Sequence, residues 1–536
     1  MVSNAAIERA DGEGAPSVAP GPRRTLVTLC ALAIAALFAW NVARTWFQSD
    51  DAFITFRYAR NLVDGLGPVW NPDERVEGYT NFAWLLLMAG GMELGLAPEW
   101  FSNALGVACG ALVLVALLRF AARERSLASP VPWLAVLLLA IHRSFAAWCT
   151  GGLETMLFTL LVFLGFARLL ARWERGARDA LFCAACFALA ALTRPEGLLF
   201  AALAFALLAL DVVLRRRTLR LALVWLAPVV LVPGAHLLWR HAYYGEWLPN
   251  TFTAKVGGLW LEQGWRYFVF FHDGYRIGWF LPLALLALYG PRRRDAAALV
   301  FVLLAYGAYV LAVGGDLFEL RFFVHVFPLL YWLLAEGLAT LAASLRPRVA
   351  GMLATAAVAL ALLASTFVGF ERASANEYGL QSVEGITQYT LQRIDQGRTL
   401  RSWVERGKLP RELVLCVGGA GAVPYYTGWT TVDRRGLNDR RIARTPVHGH
   451  GIIGHEHDAP YGYLAERRVV VFDYFNQLLV KTQGLRSLAG THRHDGHVVA
   501  LRAIPLDERA LVFATFVSDD ELARVFPGLQ ILSLDE

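Results

Sequence analysis

Charge is scarce in this chain. Asp, Glu, Lys and Arg make up 18% of its 536 residues, against 56% hydrophobic ones. With a mean hydropathy of +0.44, that balance excludes an ordinary soluble globular protein. Cysteine is scarce too. Cys30, Cys109, Cys149, Cys183 and Cys186 lie in or at the ends of apolar runs and only Cys416 falls elsewhere, so no disulfide framework is expected. Cys183 and Cys186 form a CxxC inside an apolar helix, where buried small residues are the expected reading rather than a redox or metal pair. The chain has no internal repeat, and no low-complexity tract beyond residues 1–24, which read as a disordered tail. No small-residue cleavage site follows the first apolar run, so that run is expected to be a retained anchor. Nothing suggests a nucleic-acid partner.

What the chain does have is apolar runs of bilayer length. A transmembrane helix needs about 20 mostly apolar residues. Candidate spans are 25–47, 104–122, 131–148, 154–172, 179–193, 197–214, 219–238, 276–290, 296–314, 322–342 and 349–369, with a shorter apolar piece at Phe82–Leu96. Arginines cluster at Arg23/Arg24, Arg119/Arg123/Arg125, Arg172/Arg175/Arg178, Arg215/Arg216/Arg217/Arg220, Arg292/Arg293/Arg294 and Arg346/Arg348. Under the positive-inside rule these alternate correctly only if Phe82–Leu96 does not cross. The expectation is about 11 crossings over 25–369, a cytoplasmic N-terminus and an extracytoplasmic C-terminal region. From residue 370 the hydrophobic runs shorten to strand length, at Leu413–Val417, Val469–Phe472, Val498–Leu501 and Leu511–Phe516. Residues 370–536 therefore read as a soluble α/β domain.

The segments between the arginine clusters carry the ionisable and aromatic residues. Asp50 and Asp51 stand where the first span ends, followed by Arg57 and Tyr58. Carboxylates at that depth are costly and usually have a task. One could act as a general base, and a second beside it would raise a pKa or hold a divalent cation. Glu77, Tyr79 and Asn81 follow in a turn-rich stretch suited to contacting a sugar. Arg194 and Glu196 flank a tight turn and read as an ion pair or part of an anion site. Arg240, His241, Asn250 and Lys255 mix cations with interfacial aromatics at the depth of a lipid phosphate. Asp316 and Arg321 follow a Gly314-Gly315 turn, and Arg321 is a second phosphate candidate. Near the C-terminus, Gly418, Gly419 and Gly421 miss the GxGxxG spacing, so a tight βα turn is expected rather than a nucleotide loop. His448, His450, His455 and His457 are closely spaced, with a polar glycine-rich loop favoured over a metal site.

The ordered set resembles the GT-C glycosyltransferases that use polyprenyl-phosphate sugars. The carrying residues are Ser49-Asp50-Asp51…Arg57-Tyr58-Ala59-Arg60-Asn61, Asn71-Pro72…Glu77-Gly78-Tyr79-Thr80-Asn81, Gly151-Gly152-Leu153-Glu154-Thr155, Thr193-Arg194-Pro195-Glu196-Gly197, Tyr244-Gly245-Glu246-Trp247-Leu248-Pro249-Asn250-Thr251 and Val432-Asp433…Gly436-Leu437-Asn438-Asp439. The nearest resemblance is to the terminal β-(1→2)-arabinofuranosyltransferase family of mycobacteria. It implies a polytopic α-helical GT-C fold in a bacterial cytoplasmic membrane and a polyprenyl-phosphate sugar donor entering from the bilayer. It also implies a glycan, glycolipid or glycoprotein acceptor and inversion at the anomeric carbon. The presumed base is an acid of the first loop, here Asp50 or Asp51, with Asp50 preferred by analogy. Family members differ in their need for a divalent cation (Mg2+, Mn2+ or Ca2+), so that need is left open. The rival reading, a lipid-linked-sugar transporter or flippase, expects internal repeats and polar groups at mid-membrane; a wall-binding scaffold leaves the acidic pair unexplained.

Overall fold

The computed structural model describes residues 22–123, 125–127, 129–255, 258–368, 375–447 and 451–535. The expected tail up to residue 21, together with His448 and His450, lies outside the described residues.

Apolar sequence dominates as far as residue 368. Among the described residues, seven helices are long and apolar enough to cross a membrane: Thr25–Arg44, Pro98–Ala121, Glu196–Val213, Leu219–Tyr244, Arg293–Ala312, Phe327–Ser344 and Arg348–Val368. Shorter apolar helices lie among them at Phe82–Glu93, Pro130–Ile141, Thr155–Leu169 and Ile277–Tyr289. Phe82–Glu93 has 12 residues, too few to cross a core about 30 Å thick at 1.5 Å per residue.

Some expected runs are broken. The 131–148 run bends at His142, whose extended backbone separates Pro130–Ile141 from Arg143–Ala147 and whose Nδ1 accepts from the Phe145 amide at 3.4 Å. The 276–290 run splits into short helical turns around Leu281–Leu286. The 322–342 run divides into Arg321–Val324 and Phe327–Ser344, because Pro328 fits the first turn of a helix but not its interior. Cys183 and Cys186 are buried and unbridged, and Cys183 Sγ accepts from Trp225 Nε1 at 3.3 Å.

From Val383 the pattern changes. A 23-residue helix, Val383–Glu405, starts at Ser382, whose hydroxyl accepts from the Gly385 amide. It leads to eight strands: β1 Val414–Val417, β2 Thr430–Asp433, β3 Val471–Phe472, β4 Leu479–Lys481, β5 His492–His494, β6 His497–Leu506, β7 Arg509–Thr515 and β8 Leu532–Ser533. Their order is β2-β1-β3-β7-β6-β5, with β4 also on β7 and β8 on β6. β1 is parallel to β2 and β3 and the remaining pairs are antiparallel. Between β1 and β2 runs a six-residue helix, Ala422–Thr427, ended by Gly428 at φ 70°.

Several attachments fix this C-terminal region to the helices, and two involve its helices Val383–Glu405 and Ala422–Thr427. One is the strand-like pairing of Phe318 with Gln381, in which the Glu319 amide donates to Gln381 O at 3.1 Å and the Gln381 amide to Leu317 O at 2.8 Å. The Glu319 carboxylate then accepts from the Val383 amide at 3.0 Å and from Ser144 Oγ at 3.3 Å. Burial pushes Glu319 up to about 7 even with Arg143 nearby. The second attachment is the six-residue helix, which docks at the candidate site.

Candidate active site

The site begins with the helix Asp50–Val63 that follows the first span. Its start is pinned by pairing of Gln48 with Gly151: the Ser49 amide donates to Gly151 O at 3.0 Å and the Gly151 amide to Phe47 O at 2.9 Å. Gly151 and Gly152 have φ of 84° and 76°, and a Cβ on Gly151 would lie 2.7 Å from the Phe47 ring. Glycine is needed there for both reasons.

The two adjacent aspartates have different surroundings. Asp50 is buried, with Oδ1 accepting from the Ala422 amide at 2.8 Å and Oδ2 from the Gly421 amide at 3.1 Å. The glycine loop closes on it: a Cβ at Gly421 would fall 2.0 Å from Asp50 O and 2.4 Å from its Cγ. Close approach therefore accounts for the glycines, and the βα turn replaces any nucleotide reading. Burial pushes the Asp50 carboxyl up, opposed by Arg393 and the two amides. Asp51 lies about 100° further around the helix. It is half-buried and has no hydrogen bond or ion pair among the described residues. Its charge reaches Tyr389 and His455. The His455 ring is pushed down by burial and by Lys255 and Arg435, and pulled back by Asp51.

Most of the expected phosphate cations already have partners. Arg57 spends its whole guanidinium on the protein: Nε donates to Trp70 O at 2.8 Å, Nη1 to Pro424 O at 2.9 Å and Nη2 to Trp429 O at 2.9 Å and Asn71 Oδ1 at 3.1 Å. Arg194 lies buried between Glu154 at 2.6 Å and Glu196 at 2.9 Å. Arg321 pairs with Asp316 and Arg240 with Glu77 at 2.6 Å. Lys255 differs: it is exposed and makes no ion pair among the described residues, with its side chain alongside Gly454.

The other expected residues are mainly structural. Tyr58 donates to Val76 O at 2.8 Å and accepts from the Gly78 amide at 2.9 Å. Tyr79 shares a hydrogen bond with Tyr244 at 3.0 Å. Asn81 donates to Glu154 at 2.9 Å and to Thr55 at 3.1 Å, so it ties the Asp50–Val63 helix to the Glu154–Arg194 pair. Asn250 donates to Gly436 O and Leu437 O at 2.8 and 2.9 Å. His241 stacks on Trp247 at 3.9 Å.

Both Asp50 oxygens are taken by amides, and among the described residues no three His, Cys, Asp or Glu side chains converge. His455 and His457 hydrogen-bond within their loop, to Ile453 O and Thr445 Oγ1, each at 3.1 Å.

Sequence reasoning missed Glu154, Arg60, Tyr389 and Arg393. Glu154 stood in the Gly151–Thr155 motif and was readable from it. Arg60 donates to Tyr425 O at 2.8 Å, and Arg393 is fully buried against Asp473 at 2.6 Å. Neither contact leaves a local signal.

The architecture is a GT-C fold: apolar helices, a helical first loop bearing the acidic pair, and a C-terminal α/β region seated on it. ArnT from Cupriavidus metallidurans, solved bound to undecaprenyl phosphate, superposes with a TM-score of 0.55 over 92% of this chain and 98% of ArnT, at 16% identity. Two curated proteins described as terminal beta-(1->2)-arabinofuranosyltransferase are similar in sequence. The Mycobacterium tuberculosis one is 31% identical over 59% of this chain and 52% of its own length. The Corynebacterium glutamicum one is 28% identical over 55% and 49%. The chain spans about half the length of these relatives. Residues 386–509 match a family model described as a domain of unknown function, DUF8728.

Proposed function

We propose that this protein is a membrane glycosyltransferase that moves a sugar from a polyprenyl-phosphate donor to a cell-envelope glycan, glycolipid or protein. Its site would face the outer side of a bacterial cytoplasmic membrane, with the N-terminus cytoplasmic, residues 25–369 in the membrane and 370–536 extracytoplasmic. The names of the similar proteins make D-arabinofuranose the sugar to test first.

One observation carries the chemistry: at the junction of the first-loop helix and the C-terminal region, Asp51 has no hydrogen bond or ion pair among the described residues while Asp50 is spent on two amides. In this reading Asp51 takes the proton from the acceptor hydroxyl. The acceptor oxygen bonds to the anomeric carbon as the bond to the phosphate oxygen breaks, its electron pair leaving on polyprenyl phosphate. Direct displacement inverts that carbon. Lys255, exposed and without an ion pair among the described residues, neutralises the departing phosphate, while the arginines already paired to carboxylates hold the loops in place. The two N–H bonds stabilise the Asp50 carboxylate and take a lone pair on each of its oxygens, whereas Asp51 accepts no hydrogen bond among the described residues, which favours Asp51.

The test is incubation of purified protein with decaprenyl-phosphoryl arabinose and other polyprenyl-phosphate sugars, with mass analysis of the products. Transfer that is lost in Asp51→Asn but only reduced in Asp50→Asn supports the assignment. No transfer from any such donor rejects the enzyme reading.

A further inference from the structure

The helix Ala422–Thr427 is held at both ends by one element. At its start, Asp50 accepts from the Gly421 and Ala422 amides. Toward its end, Arg57 takes Pro424 O at 2.9 Å and Arg60 takes Tyr425 O at 2.8 Å, with the Arg60 guanidinium 3.6 Å from the centre of the Tyr425 ring. Acid meets amides and arginines meet carbonyls, so charge and helix polarity agree along the contact. Arg57 continues to Trp429 O, beyond the helix, and Asn71 Oδ1 accepts from the Thr431 amide in β2 at 2.9 Å. Behind Asp50, Gly419 leaves room for the Tyr389 hydroxyl, and Arg393 stands beyond it with Nε and Nη2 lacking hydrogen-bond partners.

We infer that Asp50, Arg57 and Arg60 are positioning residues through which the C-terminal region sets the placement of Asp51. This rests on the reading of Asp51 as base and adds to it a task for the soluble part of the chain. Asp51 shares its helix with all three clasping residues. Loosening the clasp lets that helix rock, and a base displaced by 1 Å loses its aim at the acceptor hydroxyl. The donor phosphate, held from the membrane side, is unaffected. A mis-aimed base also activates water as readily as the acceptor.

The test uses the full-length protein in nanodiscs with decaprenyl-phosphoryl arabinose as probe. Asp50→Asn removes the charge and keeps one acceptor. Gly421→Ala keeps the charge and drives a methyl into the clasp. Arg60→Gln breaks the same contact from a half-exposed position and serves if either buried variant fails to fold. The expected result is a roughly tenfold or greater fall in kcat, a donor KM within about twofold of wild type, and a higher ratio of donor hydrolysis to transfer. Asp50→Asn and Gly421→Ala combined should lose little more than the worse single variant. Wild-type kcat and hydrolysis ratio in all folded variants overturn the inference, as does a purely additive double variant. Hydrogen exchange at 421–427 reads the clasp without a donor: faster exchange in Arg60→Gln and Asp50→Asn supports it, and unchanged exchange overturns it. If the wild-type protein turns over no such donor, the glycosyltransferase reading fails, and exchange still decides whether the clasp exists.

Discussion

Two polar regions lie beside the first-loop helix, and they use charge differently. Toward the C-terminal region, Asp50, Arg57 and Arg60 bind backbone amides and carbonyls of a partner more than 360 residues away in sequence. Toward the membrane helices, Glu154, Arg194, Glu196, Asp316 and Arg321 bind one another as side chains. The first arrangement recognises a shape and the second balances charge among largely buried side chains. Both consume their ionisable groups. A dense patch of acids and arginines is a poor guide to chemistry until each partner is counted; beside these two regions, Asp51 and Lys255 make no ion pair among the described residues.

The sharpest way to break that comparison is to remove a leftover group. Asp51→Asn is expected to cut kcat about a thousandfold, within the range for loss of a general base, in a product-mass assay. Next comes the charge-balanced region. Arg194→Met strands Glu154 and Glu196, costing about 3–5 kcal/mol, read as a drop in thermal midpoint. The attachment at Glu319 gives a smaller, pH-dependent effect. Its folded pKa of about 7 lies above its ordinary 4.5, so the folded state holds an extra proton between those values. Stability therefore falls as pH rises through that window and is lowest above it. Glu319→Gln should stabilise the protein by about 3 kcal/mol at pH 8 and by nothing at pH 4, in thermal unfolding at the two pH values. Lys255→Met is expected to lower kcat about tenfold, because the departing phosphate loses its counter-charge, and to flatten the salt dependence of donor KM. Smallest of all, Arg401→Gln breaks an exposed i,i+4 pair with Glu405, 2.7 Å long, and should change stability by under about 0.5 kcal/mol.

Much of this was legible in the sequence, and the limits have physical causes. Apolar runs report membrane helices directly because length and hydropathy are local properties. The breaks at His142 and Pro328 show where a run of the right length is not one helix. β1, β3, β6 and β7 coincide with hydrophobic runs, whereas β2, β4, β5 and β8 have two to four residues and no such run. The acidic pair was found because it sits where carboxylates are costly. Which acid is spent could not be read, since its partners at Gly421 and Ala422 are set by folding. Arg57 and Arg240 were reasonable phosphate cations on the same evidence, yet their partners at Trp429 and Glu77 lie 372 and 163 residues away.

The Gln48–Gly151 pairing acts as a phase lock. Standing three residues before Asp51, it fixes where the first-loop helix begins its winding. One residue inserted there would turn the helix by about 100°, so the roles of neighbouring acids would pass to the wrong side chains while composition and charge stayed almost the same. In this segment spacing is as constrained as chemistry, and its length should tolerate change less well than its individual residues.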